Sequence, residues 1–457
     1  MRCAIIIVYD NRKLEARSST NGYCLQFQIG AGRGIRNAKL FAKEERGNVK
    51  QGDLTKGPVF QAISFFALPM LLGNLLQQMY NVVDTWVVGN YIGSDALAGV
   101  GSAYTLMVFL TSILLGMCMG SGVVFSLCFG RKDKQKLQET VGTSFLLIAA
   151  AAVLLTLVPL LLLDNILAWL NIPQEILTLT RKYLFIVFLG IPAVFLYNFF
   201  AAYLKALGNA VVPLAFLAVS TGVNIVLDLL FVVAFRWGTP GAAGATIIDQ
   251  YCSGIGAAVY VLKRDALVRG AFVHLKLSRA NLREIAGYSV FTCLQQSVMN
   301  LGILMVQGLV NSFGTSIMAA FAAAVKIDSF AYMPAQEYGN AFSTFIAQNT
   351  GAGKKVRVRS GIQCAALTSI TYCAAASLVL WFQAKNLMQI FISPSKREII
   401  EEGVRYLHIE GAFYCGIGCL FLLYGFYRAK FKMSPLKYRK AHRKENDADA
   451  LKPFRTL

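Results

Sequence analysis

Asp228 stands four residues after Asn224, in a stretch over 211–235 that carries no other charge. A second acid, Asp84, lies in a comparable run over 62–88. Residues four apart share a helix face, and an ionised group in hydrocarbon is tolerated mainly where it faces a partner or a wet cavity. Two carboxylates and a carboxamide in one pocket can hold a Na⁺ ion or share a proton, because like charges at close range do not both persist. That chemistry is the reversible capture of a cation, with no covalent step. The competing readings are an interfacial acid for Asp84 and a structural polar bridge between helices for Asn224 and Asp228.

The elements that position these residues follow from composition. Hydrophobic residues make up 56% of the 457 and charged residues 15%, with a mean hydropathy of +0.53. A soluble domain carries roughly 25% charge, so the excess apolar surface belongs in a lipid bilayer. A net charge of +20 would suggest nucleic acid in a soluble protein. Here Lys and Arg gather in short stretches between apolar runs, which reads as a topology signal with no nucleic-acid partner. The ten cysteines show no paired framework and no metal spacing, and most lie within apolar runs. No Walker loop, zinc pattern or nucleophile triad appears, which argues against ATP-driven export and intramembrane proteolysis, and against an enzyme of any kind.

A span needs about 20 apolar residues. The sequence predicts an all-α polytopic membrane protein with spans at 62–88, 103–129, 141–163, 183–204, 211–235, 241–262, 287–310, 317–348, 361–384 and 406–427. The seventh and eighth are divided at the turn formers Asn311 to Ser316, and the eighth contains Lys326, Asp328 and Glu337. Lys326 and Asp328 are two apart and share no helix face, so a buried ion pair there needs a partner on another span. Basic clusters at 131–136, 263–283 and 354–359, with both tails, fall on one side, which puts both termini in the cytoplasm of a multi-pass protein of the cell membrane. In this topology Asp84 lies about 6 Å and Asp228 about 10 Å below the outer ends of their spans, at about 1.5 Å per residue. The two acids therefore share a layer. The run Met117–Gly122 reads as a tight helix contact.

The halves repeat. Leu76-Gln77-Gln78 matches Leu294-Gln295-Gln296, Gly130 with its basic loop matches Gly351 to Lys355, Tyr183-Leu184 matches Tyr406-Leu407, and Pro213-Leu214 matches Pro435-Leu436, at offsets of 218 to 223 residues. Two related bundles follow, six helices over 58–265 and four over 266–436, flanked by a disordered cytoplasmic tail (1–57) and a basic polar tail (437–457). The repeat breaks off after Pro435-Leu436, where two further helices are expected, and a truncated or frame-shifted C-terminus is the expectation that fits.

Leu76-Gln77-Gln78-Met79-Tyr80-Asn81-Val82-Val83-Asp84-Thr85, with Val88-Gly89 and Ala96 to Gly101, resembles the first span and following turn of the multidrug and toxic compound extrusion (MATE) family. Tyr203 to Asn209, Asn224 to Asp228, Gly241 to Ala245 and Gln348-Asn349 support the resemblance, which covers about 60–436. It implies two six-helix lobes around a V-shaped cleft, where this chain has six plus four helices. It also implies a secondary antiporter that exports cationic or amphipathic compounds in exchange for H⁺ or Na⁺. No cofactor and no structural metal are implied, and the ion would be a transient Na⁺ or H⁺ at Asp84, Asn224 and Asp228. The expected partners are the bilayer and small organic cations or amphiphiles, with the protein a monomer. Gln78, Asp249 and Glu410 are additional polar candidates; Asp249 stands where the family often has Thr. Two alternatives remain open: a flippase of lipid-linked precursors, and an inactive remnant of a transporter.

Overall fold

The computed structural model describes residues 52–169, 174–273, 278–311 and 313–430. All regular structure among them is helical. Residues 1–51 and 431–457 lie outside this set, so the tails, apart from 52–57, and the repeat match at Pro435-Leu436 are not among the described residues. The first half contains α1 (Val59–Tyr91), α2 (Ser94–Arg131), α3 (Lys134–Leu161), the short α4 (Leu163–Trp169), α5 (Gln174–Phe188), α6 (Ile191–Ala206), α7 (Val211–Asp228), a π-helical turn (Leu229–Ala234), α8 (Thr239–Arg264) and α9 (Ala266–Val273). The second half contains α10 (Arg279–Asn311), α11 (Thr315–Gly351), α12 (Lys355–Phe391), α13 (Arg397–Ala412) and α14 (Tyr414–Lys430).

Eight helical segments among the described residues are long and apolar enough to cross a membrane, and the bent pair α13–α14 makes nine if counted as one span. The fourth predicted span begins earlier than expected, as α5, and its helix is interrupted at Leu189-Gly190 before α6, where Pro192 cannot donate to the ladder. The tenth begins at Arg397 and bends by 52° at Phe413, so it is not the single straight span that its hydropathy suggested. The eighth is one 37-residue helix despite its three charges. The expected break after Asn311 is present, at Gly314, whose φ of +92° suits a residue without a β-carbon.

Local chemistry sets the turns. Between α2 and α3, Lys132 takes the left-handed conformation and the Asp133 carboxylate caps α3 by accepting from the Lys136 amide at 3.0 Å. In the turn before α7, Asn209 Oδ1 accepts from Val212 N at 3.2 Å. The basic loops come together at one end of the molecule. There Lys136 Nζ meets Glu284 at 2.7 Å, joining α3 to α10.

The halves meet at this basic end. One large core runs through the first half and takes in Tyr288, Phe342, Phe345 and Leu422 of the second. Away from the basic end the cores separate. Val87, Val88, Val232 and Ala242 form a cluster wholly in the first half, and Ile327, Leu380, Met388 and Leu407 belong to one wholly in the second. In the first half Phe125, Phe145, Phe195, Phe199 and Phe200 pack in a herringbone, edge to face or tilted.

Glycine makes the inter-half contact close. A β-carbon on Gly120 would lie 2.6 Å from Ser289 Cα, as the small run Met117–Gly122 predicts. At the basic end a β-carbon on Gly130 would lie 2.0 Å from the Gln348 carbonyl oxygen, and one on Gly351 would lie 2.3 Å from that of Leu127. Gly130 and Gly351 are the pair matched by the sequence repeat. Each helix terminus needs the other's bare backbone.

Residues 52–57, grouped with the tail on sequence grounds, are built into the fold as a strap across the junction. Leu54 is buried; its amide donates to Gln348 Oε1 at 3.0 Å and its carbonyl accepts from Asn349 Nδ2 at 3.2 Å. Gln348 also donates to the Ala206 carbonyl at 2.8 Å, and Arg357 reaches the carbonyls of Lys56 and Gly57. Gly208, with a φ of +84°, lets the strap pass where a side chain would strike Gly52.

Candidate functional site

Four polar residues of the first half converge between α1, α7 and α8. Asp84 lies on α1, Asn224 and Asp228 lie one turn apart at the end of α7, and Asp249 lies midway along α8. The three carboxylates are within electrostatic reach of one another, and Asn224 sits beside Asp249. Tyr183 of α5 lies near Asp84 and Asp228. Tyr80 lies near Asp84 and Asp249 and donates to Thr246 Oγ1 at 3.3 Å. The Val87, Val88, Val232 and Ala242 cluster closes the end of the bundle next to the acids.

The group is largely buried and underpaired. Asn224 and Asp228 are each 0% exposed. Neither oxygen of Asp228 and neither amide atom of Asn224 has a partner at good hydrogen-bond geometry among the described residues. Each such atom costs about 1–3 kcal/mol, a cost that a proton or a cation bridging the carboxylates would relieve. Among the described residues no three His, Cys, Asp or Glu side chains are close enough to hold a metal ion together. The helix supports this tension: directly after Asp228 the ladder slips from i→i+4 to i→i+5, forming the π turn, a distortion often found beside functional residues.

The other two candidates lie elsewhere. Gln78 accepts from Asn81 Nδ2 at 3.1 Å and faces Met333 of α11, so it belongs to the face of α1 turned toward the second half. Glu410 is in the second half, bonded to Tyr406 and near Asp328. Asp328 itself accepts from Tyr414 Oη of another helix, while Lys326 is exposed, so the two do not pair, in keeping with their i,i+2 spacing.

A second polar region was not legible beforehand. A cavity of about 330 Å³ lies between the halves, with Asn74 of α1, Lys205 of α6, Gln295 of α10, Glu337 and Asn340 of α11, and Arg428 of α14 among its walls. Asn74 Nδ2 donates to Glu337 Oε1 across the cavity at 2.8 Å, and Asn340 Nδ2 donates to the same oxygen at 3.0 Å. These residues are scattered through the sequence, and only their approach in space reveals them. For Asp249 a signal did exist. Ala242, Ala245, Asp249, Ser253 and Ala257 recur at helical spacing and are all buried, which identifies the packed face of α8.

Membrane-crossing helices in two halves, an acid site inside one bundle and a polar cavity between them define a multi-pass membrane transporter rather than an enzyme. The sequence model described as MatE matches residues 69–230 and again 289–438, once in each half, and the chain belongs to that family. Among relatives, the probable multidrug resistance protein YpnP of Bacillus subtilis is 29% identical over 381 residues, spanning 83% of this chain and 85% of its own. The multidrug export protein MepA of Staphylococcus aureus is 28% identical over 282 residues, spanning 60% of this chain and 61% of its own. Among solved structures, the outward-facing conformation of a multidrug resistance MATE family transporter of the MOP superfamily superposes with a TM-score of 0.77 at 20% identity, covering 84% of this chain and 85% of that one. A MATE transporter of Vibrio cholerae, VcmN, gives a TM-score of 0.75 at 22% identity, covering 81% and 84%. These two share the fold.

Proposed function

We propose that the protein is a secondary antiporter of the cell membrane that exports cationic or amphipathic compounds in exchange for H⁺ or Na⁺. The observation that carries the reading is the pair of unpartnered oxygens on fully buried Asp228, within electrostatic reach of Asp84 and Asp249. An ion or proton entering that group neutralises charge the bundle otherwise bears unaided, so its binding favours a tighter packing of α1 against α7 and α8. Departure of the ion reverses the preference. Counting α10 as a span gives ten, six before residue 265 and four after it, with the basic end and both termini in the cytoplasm.

In this orientation the shared core and the strap close the cytoplasmic end, and the separated cores leave the outer end free to part. Cargo leaves outward from this state. Rocking of one half against the other about the glycine junction then opens the inner end for the next cargo. The names of YpnP and MepA, which speak of multidrug resistance and export, support drugs as the cargo class.

The test is gradient-driven efflux from vesicles containing the purified protein. Ethidium export under an imposed H⁺ or Na⁺ gradient is expected, with at least tenfold loss in D84N and D228N and unchanged ethidium binding. Full transport by both variants would remove the assigned coupling group, and no gradient dependence in the unaltered protein would remove antiport.

A further inference from the structure

The cavity between the halves carries two cationic side chains against one carboxylate, and the surplus is unusual in its arrangement. Arg428 is 6% exposed and, among the described residues, has no carboxylate within ion-pair distance; it is held by neutral amides, donating to Asn340 Oδ1 at 3.0 Å and Gln295 Oε1 at 3.4 Å. Its Nε has no partner among the described residues. Lys205 enters from the opposite half, and both cations act electrostatically on Glu337. Glu337, 8% exposed, is occupied by the amides of Asn74 and Asn340 on one oxygen. Burying a guanidinium without a direct ion-pair partner is costly, and with two cations against the single Glu337 carboxylate the site offers strong charge-assisted bonds to an incoming anion. Tyr197, Phe421 and Tyr424 line the same cavity, supplying walls for an apolar body.

We propose that this cavity receives the oxyanion head, carboxylate or phosphate, of an amphiphile whose apolar body lies against the aromatic wall, between Lys205 and Arg428. The site thereby adds anionic or zwitterionic amphiphiles to the cargo classes proposed above. Arg428 supplies the planar fork and Lys205 the second charge from the facing half, so the ligand bridges both halves. This rests on the reading of the chain as an exporter whose cargo passes between its halves.

The test uses ligands that share one fluorescent body. Equilibrium binding to the purified full chain in detergent, without any gradient, is measured for 1-pyrenebutanoate, 1-pyrenebutanol, a pyrenebutyl-trimethylammonium cation and a pyrene-labelled phosphatidic acid. The carboxylate or the phosphatidate is expected to bind about tenfold or more tightly than the alcohol and the cation. Tight carboxylate binding identifies a free amphiphile and tight phosphatidate binding a lipid. R428Q and the half-exposed K205Q should each reduce anion binding about tenfold while leaving the alcohol within threefold, and a charge-selective loss of this kind is not what a merely structural residue produces. A cation or alcohol bound as tightly as the anions, no anion binding, or a loss shared by all four ligands in both variants would overturn the proposal. If anions bind but nothing moves under a gradient, antiport fails and this site stands. If a gradient drives export and only cations bind, antiport stands and this site fails.

Discussion

The junction of Gly130 and Gly351 makes a demanding test of the two-state reading. In G130A the new methyl would start 2.0 Å from the Gln348 carbonyl oxygen and 2.9 Å from its carbon. Ordinary contact needs about 3.5 Å, so α2 and α11 must part by about 1.5 Å at their basic ends. The obstacle is backbone, which cannot rotate away as a side chain can. Overpacking of this kind costs about 1–3 kcal/mol, which corresponds to a shift of about 5- to 150-fold in favour of any state in which the basic ends are apart. Spin labels at the exposed positions Lys134 and Lys355, in a cysteine-free background, would report the separation as a distance distribution. The closed population should fall in G130A and a longer distance should appear. Gly222→Ala is the matched control, because its β-carbon meets nothing within 4 Å; it should leave the distances alone and stabilise its helix by up to about 1 kcal/mol. A G130A protein with an unchanged distance distribution would refute the reasoning, whether or not its melting temperature falls, since the glycine would then serve packing alone.

Three further outcomes follow from the geometry. N224L removes two unpartnered buried amide atoms, so it should raise the melting temperature while abolishing ion-coupled transport; a destabilised variant would show that Asn224 is structural. Q348A leaves the Leu54 amide and the Ala206 carbonyl without their partner, at about 1–3 kcal/mol each when buried, and should speed proteolysis within 52–57 in native membranes. Burial acts to raise the Asp53 carboxyl, but hydrogen bonds from Thr55 and the charge of Lys56 outweigh it and hold the group below its ordinary value of 3.8. A depressed carboxylate contributes stability above its unfolded value and loses it as pH falls through its folded one. The strap should therefore loosen only below about pH 4, a change that hydrogen exchange of Leu54 would register and that D53N should largely remove.

The sequence reveals the membrane class because a surplus of apolar residues has no other place to go, and it places the spans because charge gathers between most of them, although the fourth and tenth start earlier than hydropathy indicates and the eighth runs on through Lys326, Asp328 and Glu337. Asn224 and Asp228 were readable as a pair because helical spacing is local. Asp84 could be brought to their depth by counting residues from the ends of two spans. What stayed hidden depends on contacts between distant segments. Lys205, Glu337 and Arg428 each look like a stray charge near a span until folding assembles them around one cavity. The π turn after Asp228 lies in an unbroken apolar run, Leu229–Ala234, that would suit an ordinary helix equally well. Residues 52–57 lack periodicity of either kind, so only their burial distinguishes them from a solvated tail.

The strap has a mechanical consequence. Leu54 is tied by both its amide and its carbonyl to α11, yet it lies only five residues ahead of the start of α1. A tether this short couples any large swing of α1 to the contacts at the basic end. In the antiport cycle proposed above, movement of the helix that bears Asp84 and opening of the basic end would therefore be one event, with the strap as a crank joining the acid group to a door at the other end of the bundle.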